Sequence, residues 1–300
     1  MSFAQSVAPT LFSGVSGVFG WGVSQHPIPP NSHYIGRNYL DDFDGQFTKL
    51  DLCEVGAAKK LICELRPRLV VHAACISSIA ECEENPDLCQ RVNVDAVAEI
   101  AQACELVGAH LLYISTEQVF SGNSDCYHEH TKPDATTAYG LSKAAAERIV
   151  LGHGGCVVRI PLLLGPKLCG AGGGADYGLL SALEAGLPLK LFTDEWRTPI
   201  SADEIWPVIE SIGDCKIGGV FHLAGADLVS RFELATLTCE VANIAPAFSP
   251  SSIADFSGPA RSPRLDLRCR RARQMFGFNP PSLKQALIRL HTKSNLKQND

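Results

Sequence analysis

Residues 10–20 read Thr10-Leu11-Phe12-Ser13-Gly14-Val15-Ser16-Gly17-Val18-Phe19-Gly20. A short apolar run ends in a glycine turn, and the residues beyond the turn are able to start a helix. Glycines there let the backbone approach a phosphate and aim it at the positive amino end of that helix. The spacing marks Gly14, Ser16, Gly17, Val18, Phe19 and Gly20 as a dinucleotide cradle; a tight turn with no ligand is the alternative. Pro27 then limits the following helix to about two turns.

The chain repeats this rhythm downstream. Apolar runs at Thr10 to Ser13, Tyr34 to Ile35, Leu69 to His72, His110 to Ile114 and Cys156 to Ile160 predict strands. Between them, Glu54 to Leu65, Pro86 to Val107 and Ala138 to Leu151 predict helices. Alternating strands and helices argue for an α/β fold, a Rossmann-type doubly wound parallel sheet with a smaller C-terminal lobe that binds substrate. After Pro161 the sequence turns glycine-rich, with Gly165, Gly170 and Gly172 to Gly174, which suits a ligand lid. Gly219 to Leu223 reads as a strand returning to the sheet. Helices are expected near Tyr177 to Ala185, Arg231 to Val241, Cys269 to Phe276 and Ser282 to His291, and the last eight or so residues are expected to fray. The division is therefore 1–162 with 201–225 for the dinucleotide-binding domain, and 163–200 with 226–300 for the lobe.

At 300 residues and 46% hydrophobic, the chain can bury one large core with a smaller lobe beside it. A net charge of -6 offers no basic face for nucleic acid or anionic lipid. The first 36 residues lack Asp, Glu, Lys and Arg, yet their glycines and prolines interrupt any apolar helix, so neither an export signal nor a membrane span is expected. The 12 cysteines contain no Cys-x-x-Cys pair and read as reduced core residues of a cytoplasmic protein. No metal is expected, because His128 and His130 alternate in a polar stretch without a completing ligand set.

Tyr139 and Lys143 open an alanine-rich helix, and their four-residue spacing puts phenol and ammonium on one face. A nearby cation would lower the phenol's pKa so that it exchanges a proton with a substrate oxygen near neutral pH. Ser115-Thr116 ends a buried strand, where open parallel sheets gather ligands. A half-buried aromatic, a solvated lysine and a strand-ending turn are the plainer readings of these residues. His72, in an apolar strand, reads as core. After the second strand, Arg37 could pair with the extra phosphate of NADP, whereas Asp41 and Asp42 come late for the ribose of NAD, so NADP is favoured with NAD open. Among the C-terminal arginines, Arg261 or Arg264 could hold a diphosphate.

The order of these features carries a resemblance. The segments "RPRLVVHAAC", "NPDLCQRVNVDAVAEIAQAC", "LLYISTEQVFSG" and "AYGLSKAAAERIV" resemble the extended short-chain dehydrogenase/reductases, in the branch of dTDP-4-dehydrorhamnose reductase. The resemblance is strongest over residues 61–165 and extends through "DEWRTPISADEIW", "GGVFHLAG" and "RSPRLDL". It implies that Tyr139 donates a proton to a sugar carbonyl, that Lys143 holds the nicotinamide ribose, and that Thr116 steadies the substrate oxygen. It implies further that Asp51 and Leu52 meet the adenine, that Ala73 and Ala74 pass beneath the cofactor, and that Asn93 kinks its helix. Glu117, Arg197 and Arg261 would face the substrate, a nucleotide-linked deoxysugar whose keto group is reduced. Glu117-Gln118 departs from the Asp-Tyr usual in the branch, and "GWGVSQHPIPP" is unusually proline-rich. Two alternatives stay open: a nucleotide-sugar epimerase or dehydratase with retained NAD, and a non-catalytic module similar to the regulatory subunit of methionine adenosyltransferase. The expected partner is a small molecule, and a homodimer is left open.

Overall fold

The computed structural model describes residues 8–37 and 45–297. Its centre is a parallel sheet of seven strands: β1 (Thr10–Ser13), β2 (Ser32–Gly36), β3 (Gln46–Lys49), β4 (Leu69–His72), β5 (His110–Thr116), β6 (Cys156–Ile160) and a last strand, Gly219–His222. From one edge the order is Gly219–His222, β6, β5, β4, β1, β2, β3, every neighbouring pair parallel. The chain winds outward from β1 through β2 and β3, then resumes at β4 on the other side. That reversal opens a crevice at the carboxyl ends of β1 and β4.

Side-chain alternation explains why the strands sit where they do. Phe12, Val71, Leu112 and Val158 point to one face, whereas Leu11, Val70, Leu111 and Val157 point to the other. Both faces are dry, as parallel sheets require, and each such side chain contributes about 1.5–3 kcal/mol on burial. One face is covered by α1 (Val18–Ser24) and the helix Trp206–Asp214, the other by α2 (Ala57–Leu65) and the helix Ala96–Val107. The helix after the glycine turn is seven residues long, the short element that Pro27 imposes.

Three differences from the sequence reading have physical causes. β3 was not expected, because Gln46-Phe47-Thr48-Lys49 is a half-exposed edge strand with no apolar run. The helix expected from Pro86 to Val107 is interrupted by a π-turn at Arg91–Asp95. There the Asn93 amide is turned aside, accepting from Ile76 N at 2.8 Å and donating to Ile76 O at 3.0 Å and Ser142 Oγ at 3.1 Å. The last helix runs from Leu283 to Lys297, well into the stretch expected to fray.

Residues beyond Pro161 build small sheets, pairing Leu163–Leu164 with Ile200–Ser201, Leu189–Phe192 with Phe248–Ser251, and Trp196–Arg197 with Val229–Ser230 and Arg264–Leu265. Cys269, Ala272 and Phe278, assigned by sequence to the lobe, pack instead into the core of the main sheet. All 12 cysteines are free. Among the described residues no helix is long and apolar enough to cross a membrane.

Candidate functional site

The glycine turn fits the group it was expected to hold. Gly14 has φ +75°, and a Cβ there would collide with the Ala73 and Ala74 backbone, so β1 and β4 meet as closely as two chains can. A Cβ on Gly20 would strike the Val15 carbonyl, which packs the helix onto the turn. Gly17, by contrast, faces open space, and it is the amino cap of α1. The positive end of that helix therefore has room on the Gly17 Cβ side, where a pyrophosphate needs close approach. Ser16 is exposed, Val18 half-buried and Phe19 buried, its ring in the core. Leu168 N and Cys169 N donate to Gly17 O at 3.2 Å and Ser16 O at 3.1 Å, so the glycine-rich loop expected as a lid lies on the cradle itself.

Arg37 is exposed at the end of β2, and its charge reaches Asp51 beyond β3. The Asp51 carboxyl, which accepts from Cys53 N at 2.9 Å, lies below its ordinary pKa chiefly through that backbone hydrogen bond. Leu52 follows it, half-buried. Arg37 and Asp51 therefore lie near one another at the carboxyl ends of β2 and β3, while Asp41 and Asp42 lie outside the described residues. Ala73 N donates to Ser13 O at 3.2 Å, holding the β4 loop beneath the turn. His72 is fully buried, bonded to Ser13 Oγ through Nδ1 at 2.7 Å, and burial drives its pKa down to about 3; it is core, as read.

Thr116 ends β5, and Tyr139 stands in the first turn of the helix Ala138–Gly152. The Tyr139 phenol lies close to the Thr116 side chain, which draws its pKa down. The helix begins there because Thr137 caps it, accepting from Gly140 N at 3.1 Å, and Gly140 allows close approach to Gln118 O. Burial lifts the Tyr139 phenol well above its ordinary pKa, Cys75 adds to the rise, and the Thr116 contact opposes it. Lys143 is held by a partner that the spacing did not suggest. Its ammonium donates to Ile114 O at 2.7 Å and lies 4.1 Å over the Tyr113 ring, and burial lowers its own pKa. The spacing places both side chains on one helical face, but the β5 backbone captures the cation.

Sequence reasoning missed the anchor beneath these residues. Glu147 is buried, accepting from Ser115 Oγ at 2.6 Å and from Arg159 Nε at 2.9 Å and Nη2 at 2.7 Å. Arg159 reaches on to His222 Nε2 at 3.3 Å. The signal was available, since an arginine inside "CVVRI" and a glutamate four residues after Lys143 are charges at core positions that demand partners.

Glu117 and Arg197 were expected to face substrate, and the structure turns them towards each other. Glu117 Oε1 meets Arg197 Nε at 3.0 Å, and both side chains are 2% exposed. Arg197 spends its other nitrogens on Trp196 O at 2.8 Å and Glu195 Oε1 at 2.7 Å. Burial pushes the Glu117 carboxyl up to about 8 despite the pull of Arg197. Arg261 is partly exposed, lying over the rings of Phe192 and Phe256, with Glu195 at 3.5 Å. Arg264 is committed to Asp125 O at 2.8 Å. A cleft of about 770 Å³, lined by Pro9, Ser32 and Gln46, opens at the amino ends of the strands, away from this site.

The geometry agrees with what the chain is similar to. Methionine adenosyltransferase 2 subunit beta of Bos taurus is 26% identical over 87% of this chain and 80% of its own length. The dTDP-4-dehydrorhamnose reductase of Streptomyces griseus is 29% identical over 78% of this chain and 75% of its own. The crystal structure of dTDP-4-dehydrorhamnose reductase from Bacillus anthracis in complex with NADP superposes with a TM-score of 0.83 at 23% identity, covering 96% of this chain and 99% of that one. Residues 9–295 match the family described as RmlD substrate binding domain, and the chain belongs to that family.

Proposed function

We propose that this protein is an NADP-dependent reductase of a keto group on a nucleotide-linked deoxysugar, of the dTDP-4-dehydrorhamnose reductase kind. The observation that carries the reading is the placement of the Tyr139 phenol close to the Thr116 side chain at the carboxyl end of β5, the same end of the sheet at which the glycine turn follows β1. The cradle of Gly14, Gly17 and Gly20 would hold the pyrophosphate, Ala73 and Ala74 would underlie the dinucleotide, and Asp51 with Leu52 would border the adenine. Arg37 would pair with the 2′-phosphate. When bound, NADPH supplies the hydride that reaches the carbonyl carbon.

Thr116 holds the carbonyl oxygen, and Tyr139 delivers the proton that this oxygen takes up. A phenol whose pKa is raised keeps its proton until the substrate oxygen becomes basic, so it acts as a general acid in this direction. Lys143, fixed on Ile114 O, holds β5 and the helix together and offers its remaining donors to the ribose. Glu147 and Arg159 position the strand end through Ser115. Substrate would lie between the main sheet and the lobe formed by the small sheets and helices beyond Pro161, with Arg261 at its edge. The 12 free thiols support a reducing, cytoplasmic setting.

The test is NADPH oxidation followed at 340 nm with dTDP-4-dehydrorhamnose as substrate. Turnover that requires Tyr139 supports the reading; NADPH binding without turnover of any 4-keto nucleotide sugar would overturn it. That second outcome favours a regulatory module, a reading supported by the likeness to methionine adenosyltransferase 2 subunit beta. An epimerase or dehydratase needs a second acid or base at the sugar, and Glu117, buried against Arg197, is poorly placed to be one.

A further inference from the structure

The glycine cradle is built without a cation. Residues 1–36 contain no Lys or Arg, so neither the turn nor α1 carries a basic side chain of that kind. A dinucleotide brings a full negative charge on each phosphate of its pyrophosphate. The amino end of a helix offers only about half a positive charge, and α1 is seven residues long. Most cations at the carboxyl ends of the strands are committed elsewhere: Lys143 to Ile114 O, Arg159 to Glu147, and Arg197 to Glu117 and Glu195. Arg37 lies beyond β2, near Asp51.

The loop after β6 brings one more. Between Pro161 and Ala175 the only charged residue is Lys167. The loop is a closed hairpin: Pro166 and Gly173 bridge antiparallel, Gly174 N donates to Gly165 O at 2.7 Å, and Lys167 N donates to Gly172 O at 3.2 Å. Its base is pinned where the Asp176 carboxyl accepts from Gly165 N at 3.0 Å. Its tip rests on the cradle through Leu168 N on Gly17 O and Cys169 N on Ser16 O. The first of these bonds, 3.2 Å long, holds Lys167 Cα within about 6 Å of the Gly17 carbonyl. Lys167 is exposed, and among the described residues its ammonium has no hydrogen-bond or ion-pair partner.

The geometry points to Lys167 as the residue that neutralises the pyrophosphate, a role that rests on the reading of the cradle as a dinucleotide site. A flexible four-carbon stem lets the ammonium cross from the loop, and it meets phosphate as a point charge from any side. NADPH, NADH and ADP-ribose share the pyrophosphate, so Lys167 serves all three alike. Arg37, in contrast, would serve the 2′-phosphate alone.

The test is titration of the whole protein with NADPH and NADH by nicotinamide fluorescence, and with ADP-ribose as competitor. Lys167→Met keeps the stem and removes the charge; it should weaken all three ligands about tenfold and leave the melting temperature of the free protein unchanged. Lys167→Arg should stay within about threefold of wild type, since the charge remains. Rising NaCl should weaken NADPH less steeply in Lys167→Met than in wild type. NADPH affinity in Lys167→Met within about twofold of wild type would overturn the assignment. A loss confined to NADPH would also overturn it, placing Lys167 on the 2′-phosphate, and so would a loss that Lys167→Arg shares in full. Wild type that binds none of the three would sink the dinucleotide reading as well. Binding that depends on Lys167 without turnover of any keto sugar would sink the reductase reading alone.

Discussion

The ammonium of Lys143 is bonded to the main-chain carbonyl of Ile114 at 2.7 Å. It thereby ties the helix carrying Tyr139 to the strand that ends in Thr116, and the two groups proposed to meet the substrate oxygen keep a fixed separation. Changing Lys143 would disturb the fold together with the proposed ribose contact. Tyr139 separates chemistry from structure.

Tyr139→Phe removes only a hydroxyl. Turnover should fall by about 10²–10⁴, the usual worth of general acid catalysis, while NADPH affinity by nicotinamide fluorescence stays within about threefold. Full turnover in this variant would remove Tyr139 from the mechanism.

The glycines of the cradle should fail in different ways. Gly17→Ala adds a methyl to open space, so its melting temperature should match wild type while NADPH affinity drops about tenfold as the pyrophosphate loses its close approach. Gly20→Ala drives a methyl into the Val15 carbonyl and should lower the melting temperature before any ligand is added. Thermal melts with and without NADPH distinguish the two.

Arg37→Ala tests cofactor choice. Loss of a charge-assisted contact should weaken NADPH by about tenfold and leave NADH within about twofold. Parallel titrations with both dinucleotides decide it; equal losses would mean that Arg37 does not read the 2′-phosphate.

Glu117 gives the protein a pH dependence of definite sign. Its carboxyl ordinarily titrates near 4.5 and is raised to about 8 in the folded chain, so between those values the folded state holds a proton that the unfolded state has released. Its contribution to stability is full below the lower value and is lost as pH rises towards the upper one, by at most about 1.4 kcal/mol per pH unit. Glu117→Gln cannot titrate, so its stability relative to wild type should improve from pH 5 to pH 8 in denaturant melts. A constant difference across that range would show that Glu117 is ionised throughout.

Much of the fold was legible because both faces of a parallel sheet are buried, which makes its strands short apolar runs. Thr10–Ser13, Leu69–His72 and Cys156–Ile160 stand where the sequence put them. β3 was illegible for the opposite reason, since an edge strand with half-exposed side chains has no such signature. The residue types at the crevice were legible too: glycines where backbone must approach backbone, a hydroxyl at a strand end, a tyrosine in the first turn of a helix. Only the tertiary structure decided what each polar group bonds. It gave Lys143 to Ile114 O, Glu117 to Arg197, and Glu147 to Ser115 and Arg159. Periodicity records which face of an element is dry, a property of neighbours in the chain. The partner of a buried charge is set by which distant segment the fold brings within about 3 Å of it, and spacing along the chain does not encode that.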